Sequence, residues 1–170
     1  MIFDMIIKPL KISSKFVAFV NDIDLKKKLK KSEITTIQES INTYGVLVFR
    51  NQSLSDDEQV NFSECFGNIE HSGKKSNITK DSDRRLSTKL ADVSNIDKKS
   101  NVFKKNDPRR IFNLGNRLWH SDSSFKKNPA KYSILSSKTI VKKGGNTEFS
   151  DMRLAYEYLE DDIREKIENL

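Results

Sequence analysis

A short apolar run followed by a strong helix start constrains the fold of this 170-residue chain more than any other segment. Residues 44–50, YGVLVFR, form a β-branched and aromatic run that is typical of a buried strand. Ser55 and Glu58 then give the Ser-x-x-Glu pattern of a capping box, with acidic residues suited to the positive end of a helix dipole. We therefore predict a strand that leads through a short connection into a helix, which ends at Gly67.

Hydrophobic spacing predicts the other elements. Apolar residues at 34, 37, 41 and 44 recur at three- and four-residue steps, which predicts a helix at about Ser32–Thr43 with Ser32 as its N-cap. Residues 16–20 predict an earlier strand. Further along the chain we predict strands at residues 86–93, 132–141 and 146–149, a turn at Gly144–Gly145, a helix at residues 151–159 capped by Asp151, and a helix at residues 161–169.

Length and composition fit one domain with its own core. The single cysteine, Cys65, excludes an intramolecular disulfide, fits a reducing compartment, and is interpreted as a packed residue. No apolar run reaches the length that spans a membrane, and the N-terminus lacks the pattern of a signal peptide. The expectation is a soluble, cytoplasmic protein with no membrane partner.

The net charge of +7 is concentrated in one polar, mostly irregular segment. Residues 74–110 contain 12 Lys and Arg against 5 Asp and no Glu, whereas the rest of the chain balances at 19 against 19. The simplest interpretation is a solvated, lysine-rich surface loop. A second is a positive field near a site for anionic substrates. A third, nucleic-acid binding, lacks support from aromatic interleaving or a known binding motif.

The segment 118–125, LWHSDSSF, contains the chain's only tryptophan and one of its two histidines. His120 and Asp122 lie two residues apart, so in a strand their side chains leave the same face. An imidazole and a carboxylate on one face are two of the three ligands of a 2-His-1-carboxylate iron site, which keeps coordination positions open for substrate and O₂. Taken alone, the pair could arise by chance, and an isolated His120 would fit a hydrogen-bonded core histidine.

Three segments together resemble one protein family. They are GVLVFR at 45–50 with Phe66–Gly67, NLGNRLWHSDSSF at 113–125, and GGNTEFSDMR at 144–153. In this order and spacing the chain resembles, over about residues 10–170, the TauD/TfdA family of Fe(II)- and 2-oxoglutarate-dependent dioxygenases, and within it the 2,4-dichlorophenoxyacetate dioxygenase branch.

The resemblance implies a mainly β fold with α-helices. This is a double-stranded β-helix (jelly roll, cupin-like) with flanking helices, and residues 1–170 would be the N-terminal part of a single dioxygenase domain. It also implies Fe(II), 2-oxoglutarate as cosubstrate, O₂, and oxidation of a small anionic organic substrate.

The family's site residues are carried over through matching motifs. His120 and Asp122 correspond to the catalytic metal ligands, and Thr147 to the residue that donates a hydrogen bond to the distal carboxylate of 2-oxoglutarate. Asn116 corresponds to a residue of the substrate pocket. Trp119 is expected to point away from the metal and to pack in the core.

The sequence also departs from the family pattern. In family members a second metal histidine lies far downstream, followed by an arginine that pairs with 2-oxoglutarate, and residues 1–170 contain neither. His71 does not match the distal position and is interpreted as a surface histidine. We therefore expect these 170 residues by themselves to be an impaired dioxygenase. The alternative is an inactive remnant that acts at most as a metal- or partner-binding module, for example through exposed strand edges. A homo-oligomer is compatible with the sequence.

Overall fold

The computed structural model describes residues 5–10, 15–71, 79–168 and 170, and these residues form two compact units. The first, called here the sheet unit, contains Met1–Asp24, Lys30–Gln52 and Ser137–Leu170. The second, called the loop unit, contains Leu25–Leu29 and Ser53–Ser136. The assignment of residues 1–170 to a single dioxygenase domain stays a prediction.

The sheet unit is built on a three-stranded mixed sheet in the order β1-β2-β3. β1 (Ile6–Pro9) pairs antiparallel with β2 (Val17–Asn21), and β2 pairs parallel with β3 (Val46–Phe49). Parallel neighbours require a crossover connection, and α1 (Lys31–Tyr44) provides it. Both of the strands predicted in this region and the helix between them are confirmed.

The alternation of buried and half-buried residues along β2 shows which face of the sheet is covered. Ala18 and Val20 are buried while their neighbours on β2 are half-buried, as expected when one face of a strand is covered. Ile37 of α1 is also buried, and Ile34 and Ile41 flank it at helical spacing as half-buried residues.

The predicted N-cap of α1 is wrong. The helix begins at Lys31 with Lys30 as N-cap, so Ser32 lies inside its first turn. Glu33 explains the shift, because its carboxylate accepts a hydrogen bond from the Lys30 backbone N–H at 2.6 Å. This is the acidic half of a capping box, and it stabilises a start before Ser32.

Arg153 and Gly45 together close the C-terminal end of α1. Gly45 has φ +73° and donates its N–H to the Ile41 carbonyl at 2.8 Å, a backbone conformation that favours glycine. The Arg153 guanidinium donates to the carbonyls of Asn42 and Thr43 at 3.1 and 3.2 Å. A cation at this position complements both the unpaired carbonyls and the negative end of the helix dipole.

Asp151 holds that arginine from the other side. Its carboxylate caps α4 (Met152–Glu157) by accepting the Arg153 backbone N–H at 3.0 Å, and the Arg153 Nε lies 3.1 Å from the same oxygen. The hydrogen bond from Arg153 lowers the pKa of Asp151. The predicted cap is confirmed, and a second helix, α5, follows at Asp161–Glu168.

The loop unit contains the predicted capping box. Ser55 Oγ accepts the Glu58 N–H at 3.2 Å, and the Glu58 carboxylate accepts the Ser55 N–H at 2.7 Å. The resulting helix, α2, spans Asp56–Glu64 and therefore ends before Gly67, the predicted end. Among the described residues of this unit, the buried apolar side chains are those of Leu25, Leu29, Val60 and Phe62.

Outside α2, the described residues of the loop unit have little regular structure. They contain α3 (Pro108–Asn113) and two 3-10 helices, at Asp81–Asp83 and Leu114–Arg117. Within residues 79–168, an isolated antiparallel bridge joins Ile96 and Val102.

Three strand predictions are wrong for the residues that the structure describes. The segments 86–93, 132–141 and 146–149 carry no strand, and the described residues contain more helix than strand. A strand needs a hydrogen-bonded partner, and no ladder joins these segments to another segment of the described ranges. The expected mainly β architecture is therefore replaced here by a mixed three-stranded sheet with helices.

Among the helices of the described residues, none combines the length and apolar character needed to cross a membrane.

Replacement of Ser55 by alanine should loosen the first turn of α2. Loss of an N-cap hydroxyl costs about 1 kcal/mol, so we expect hydrogen exchange at the Glu58 amide to accelerate by about fivefold. The measurement is hydrogen–deuterium exchange read by NMR. Ser53→Ala, which removes an exposed hydroxyl two residues earlier, is the control and should leave this amide unchanged. Equal exchange in both variants would contradict the capping role.

Replacement of Arg153 by alanine should loosen the last turn of α1. The carbonyls of Asn42 and Thr43 lose their donors, at a cost of about 1 kcal/mol, and exchange at the Gly45 amide should accelerate by about fivefold. Arg153→Lys should be intermediate, because it keeps the charge and loses the planar fork. Lys142→Ala removes the same charge from an exposed position and should have no effect.

Candidate metal site

His120 and Asp122 face each other although their segment is not a strand. The residues from Leu118 to Ser121 are irregular, yet His120 Nε2 lies 3.4 Å from Asp122 Oδ1. Both side chains are about half exposed, so a ligand can reach them from solvent. The predicted juxtaposition of the two side chains is present, and the strand that was expected to produce it is absent.

The orientation of the imidazole follows from one short contact. His120 Nδ1 lies 2.7 Å from the Leu118 carbonyl oxygen, which can only accept, so Nδ1 carries the proton of this hydrogen bond. In the neutral ring, Nε2 then presents a lone pair to the Asp122 carboxylate. Two lone-pair donors at this distance suit either a shared proton or a shared metal ion.

Ser133 fixes the second oxygen of the same carboxylate. Its hydroxyl donates to Asp122 Oδ2 at 2.8 Å, while Oδ1 is the oxygen nearest His120. The carboxylate is thus held by one oxygen and leaves the other for a ligand.

Glu70 anchors the residues that follow Asp122. Its Oε1 accepts the Ser123 hydroxyl at 2.9 Å and forms an ion pair with Lys126. Ser123 has φ +58°, a left-handed conformation that is uncommon for a residue with a side chain. The hydrogen bond from Lys126 is the largest contribution that lowers the pKa of Glu70, and that from Ser123 adds to it.

The other predicted site residues are exposed. Asn116 lies on the 3-10 helix Leu114–Arg117, four residues before His120 in the loop unit. Thr147 lies in an irregular segment of the sheet unit. His71 is exposed, in agreement with the surface interpretation.

Core packing of Trp119 is not observed. Its side chain is 70% exposed, because no segment of the described residues covers it. Other large apolar side chains between residues 118 and 149 are also exposed, among them Leu118, Phe125, Leu135, Ile140 and Phe149.

In the parts of the chain that the structure describes, no group of three or more His, Cys, Asp and Glu side chains converges in a way that could hold a metal ion. His120 and Asp122 are therefore a pair of donors. The chemistry of this pair fits Fe(II), which accepts neutral imidazole nitrogen and carboxylate oxygen.

Three of the four arginines of the basic segment, Arg84, Arg85 and Arg109, form ion pairs with aspartates. Arg85 lies 3.3 Å from Asp92, and Arg109 lies 2.9 Å from Asp107 and stacks on the Phe103 ring at 4.2 Å. The hydrogen bond from Arg109 lowers the pKa of Asp107, which also caps α3. The segment contains eight lysines, which supply most of its excess positive charge.

A cavity of about 250 Å³ lies within the same part of the loop unit. Leu86, Leu90 and Phe112 supply apolar walls, and Arg85 and Arg109 supply polar ones. Both of these guanidinium groups already have carboxylate partners.

Sequence reasoning missed two residues, one that contacts the Asp122 carboxylate and one that contacts the loop after it. Ser133 lies 11 residues after Asp122, in a segment interpreted only as a strand, and Glu70 lies 53 residues before Ser123. No local pattern connects a single serine or glutamate with a distant loop. The one available signal was the polar character of both positions beside apolar neighbours.

Several known proteins are similar to this chain over most of its length. The model of the "Taurine catabolism dioxygenase TauD, TfdA family" matches residues 7–170. The alpha-ketoglutarate-dependent 2,4-dichlorophenoxyacetate dioxygenase of Cupriavidus pinatubonensis is 39% identical over 155 residues, which cover 91% of this chain and 53% of that protein. The (S)-phenoxypropionate/alpha-ketoglutarate-dioxygenase of Sphingobium herbicidovorans is 31% identical over 128 residues, which cover 75% and 39%. The chain spans about half the length of the first of these relatives.

Two solved structures are also similar to this chain over almost its whole length. The crystal structure of AAD-2 in complex with Mn(II) and N-oxalylglycine has a TM-score of 0.87 and 39% identity, covering 97% of this chain and 56% of that one. A putative alpha-ketoglutarate-dependent 2,4-D dioxygenase from Burkholderia xenovorans has a TM-score of 0.70 and 28% identity, covering 97% and 50%.

Glu70 should titrate below the ordinary glutamate range. Because its folded-state pKa is depressed, the stabilisation from this carboxylate is fully present above that range and is lost as the pH falls through the folded-state pKa. The measurement is an NMR titration of the Glu70 carboxyl carbon. Lys126→Gln should return the pKa towards its ordinary value, whereas the same change at the exposed neighbour Lys127 should not. An ordinary Glu70 pKa in the unmodified protein would contradict the anchoring contact.

Proposed function

This chain belongs to the TauD/TfdA dioxygenase family, and we propose that it forms part of an Fe(II)- and 2-oxoglutarate-dependent dioxygenase that oxidises a small anionic organic molecule. The observation that carries the proposal is the approach of His120 Nε2 to Asp122 Oδ1 at 3.4 Å, with Nδ1 occupied by the Leu118 carbonyl.

His120 and Asp122 are the residues that would hold the iron. One nitrogen and one carboxylate oxygen leave several coordination positions for cosubstrate and O₂. Iron held there would supply the chemistry that couples the oxidative decarboxylation of 2-oxoglutarate, which yields succinate and CO₂, to transfer of the second oxygen atom of O₂ to the substrate.

Other residues of the chain would orient the His120 imidazole and bind 2-oxoglutarate and the substrate. The Leu118 carbonyl keeps the proton of His120 on Nδ1, so the neutral ring can coordinate through Nε2. We assign Thr147 as a hydrogen-bond donor to the distal carboxylate of 2-oxoglutarate and Asn116 as a residue of the substrate pocket. Their support is the match of the GGNT and NRLWHSD segments to the family pattern.

An anionic substrate is supported by two independent features. The relatives are named for phenoxyacetate and phenoxypropionate compounds, which are carboxylates. The lysine excess in residues 74–110 would raise the local concentration of such anions near the protein.

A jelly roll is the fold that we propose for the complete domain. Its support is the TM-score of 0.87 with a structure of which this chain covers 56%. The exposed apolar side chains of Phe125 and Ile140, at 85% and 87%, further support the packing of these segments against additional strands.

The alternative, a remnant that binds a metal without catalysis, is favoured by one observation. The described residues bring together two metal donors, and two donors hold and orient a metal less well than three. Turnover distinguishes the alternatives.

We expect a version of this chain extended with the family's C-terminal half to form succinate from 2-oxoglutarate in the presence of Fe(II), O₂ and an aryloxy carboxylate. With residues 1–170 alone the rate should fall below the usual enzymatic range of about 1–10³ s⁻¹, because only two protein donors converge. His120→Ala and Asp122→Ala should reduce succinate to the metal-free background.

His71→Ala is the matched control, because it removes the other histidine from an exposed position and should leave the rate unchanged. Succinate formation that survives His120→Ala would refute the metal assignment. Metal binding without any succinate, across a panel of carboxylates and sulfonates, would support the non-catalytic alternative.

A further inference from the structure

We propose that Ser133 is a positioning residue for the metal-binding carboxylate of Asp122. This inference rests on the proposed function and adds to it a residue that acts through Asp122. It would orient the carboxylate by holding Oδ2, so that Oδ1 stays directed towards His120 Nε2.

The carboxylate needs such an orienting contact because packing does not supply one. The Asp122 side chain is 58% exposed, and the segment that carries it has no strand ladder. A short exposed side chain can rotate freely between conformers. The hydroxyl of Ser133, 2.8 Å from Oδ2, is the contact that selects the conformer with Oδ1 next to the imidazole.

Ser133 can do this because both of its neighbours contact α2 or the turn that follows it. The Tyr132 ring packs edge-on against Phe66, with ring centroids 6.1 Å apart. On the other side, the buried Gln59 of α2 donates its side-chain amide to the Ile134 carbonyl at 3.4 Å. The serine hydroxyl is therefore presented from a fixed backbone.

The two members of the metal pair are then held in the same manner. Leu118 holds the imidazole through Nδ1, and Ser133 holds the carboxylate through Oδ2. In both cases the contact engages the atom that faces away from the partner donor. Outer contacts of this kind determine how well a ligand pair is preorganised, and their loss typically weakens metal binding by about 10- to 100-fold.

The test is a titration with Mn(II), with free Mn(II) measured by electron paramagnetic resonance. Ser133→Ala should bind Mn(II) about tenfold more weakly than the unmodified protein. Ser133→Thr keeps a hydroxyl at the same position and should restore most of the affinity. Ser137→Ala removes a serine whose hydroxyl bonds the Thr139 carbonyl instead, and it should bind like the unmodified protein. An unchanged Glu70 carboxyl resonance would show that the loop in Ser133→Ala is still folded.

Two variants separate this inference from the proposed function. His120→Ala and Asp122→Ala should abolish Mn(II) binding. If both variants keep the Mn(II) affinity of the unmodified protein, then the assignment of His120 and Asp122 as metal ligands and the role of Ser133 are overturned together. If those variants lose Mn(II) while Ser133→Ala retains full affinity, the positioning role alone is overturned. The positioning role is also overturned if Ser133→Thr binds Mn(II) as weakly as Ser133→Ala.

Discussion

The Glu70 carboxylate is the contact on which the loop after the His120–Asp122 pair depends. A strand would have been positioned by a ladder of backbone hydrogen bonds, and the described residues supply none at this loop. Instead, the Glu70 carboxylate holds this loop by accepting hydrogen bonds from the Ser123 hydroxyl and the Lys126 ammonium group. Charge-assisted hydrogen bonds of this kind are stronger than neutral ones, although solvent screens a pair that is one-third exposed.

The predictions that succeeded depended on local interactions. The capping box of Ser55 and Glu58 forms between residues three apart, so both partners can be recognised in a short stretch of sequence. The prediction of Asp151 as an N-cap succeeded for the same reason, because Asp151 caps the helix that immediately follows it. The prediction of Ser32 as an N-cap failed because the Glu33 carboxylate accepts the Lys30 backbone N–H and fixes the N-cap two residues earlier, at Lys30.

The predictions that failed depended on partners far away in the sequence. Residues 132–141 have strand-like composition, but a strand is a property of two segments and not of one. The tryptophan prediction failed similarly, since the burial of Trp119 requires a covering segment. For the candidate site, the sequence indicated the type of chemistry through His120 and Asp122. It contained no local signal for Ser133, whose role arises only when residues 11 apart come within hydrogen-bond distance.

The contact between Arg153 and the end of α1 limits how far Thr147 can reach. Six residue steps separate these two positions, and an extended chain covers at most about 3.3–3.6 Å per residue. With its guanidinium on the carbonyls of Asn42 and Thr43, Arg153 ties this segment to the sheet unit like a short tether. The Thr147 Cα therefore lies within about 20 Å of the Arg153 Cα, which restricts the volume in which the Thr147 hydroxyl can meet a ligand.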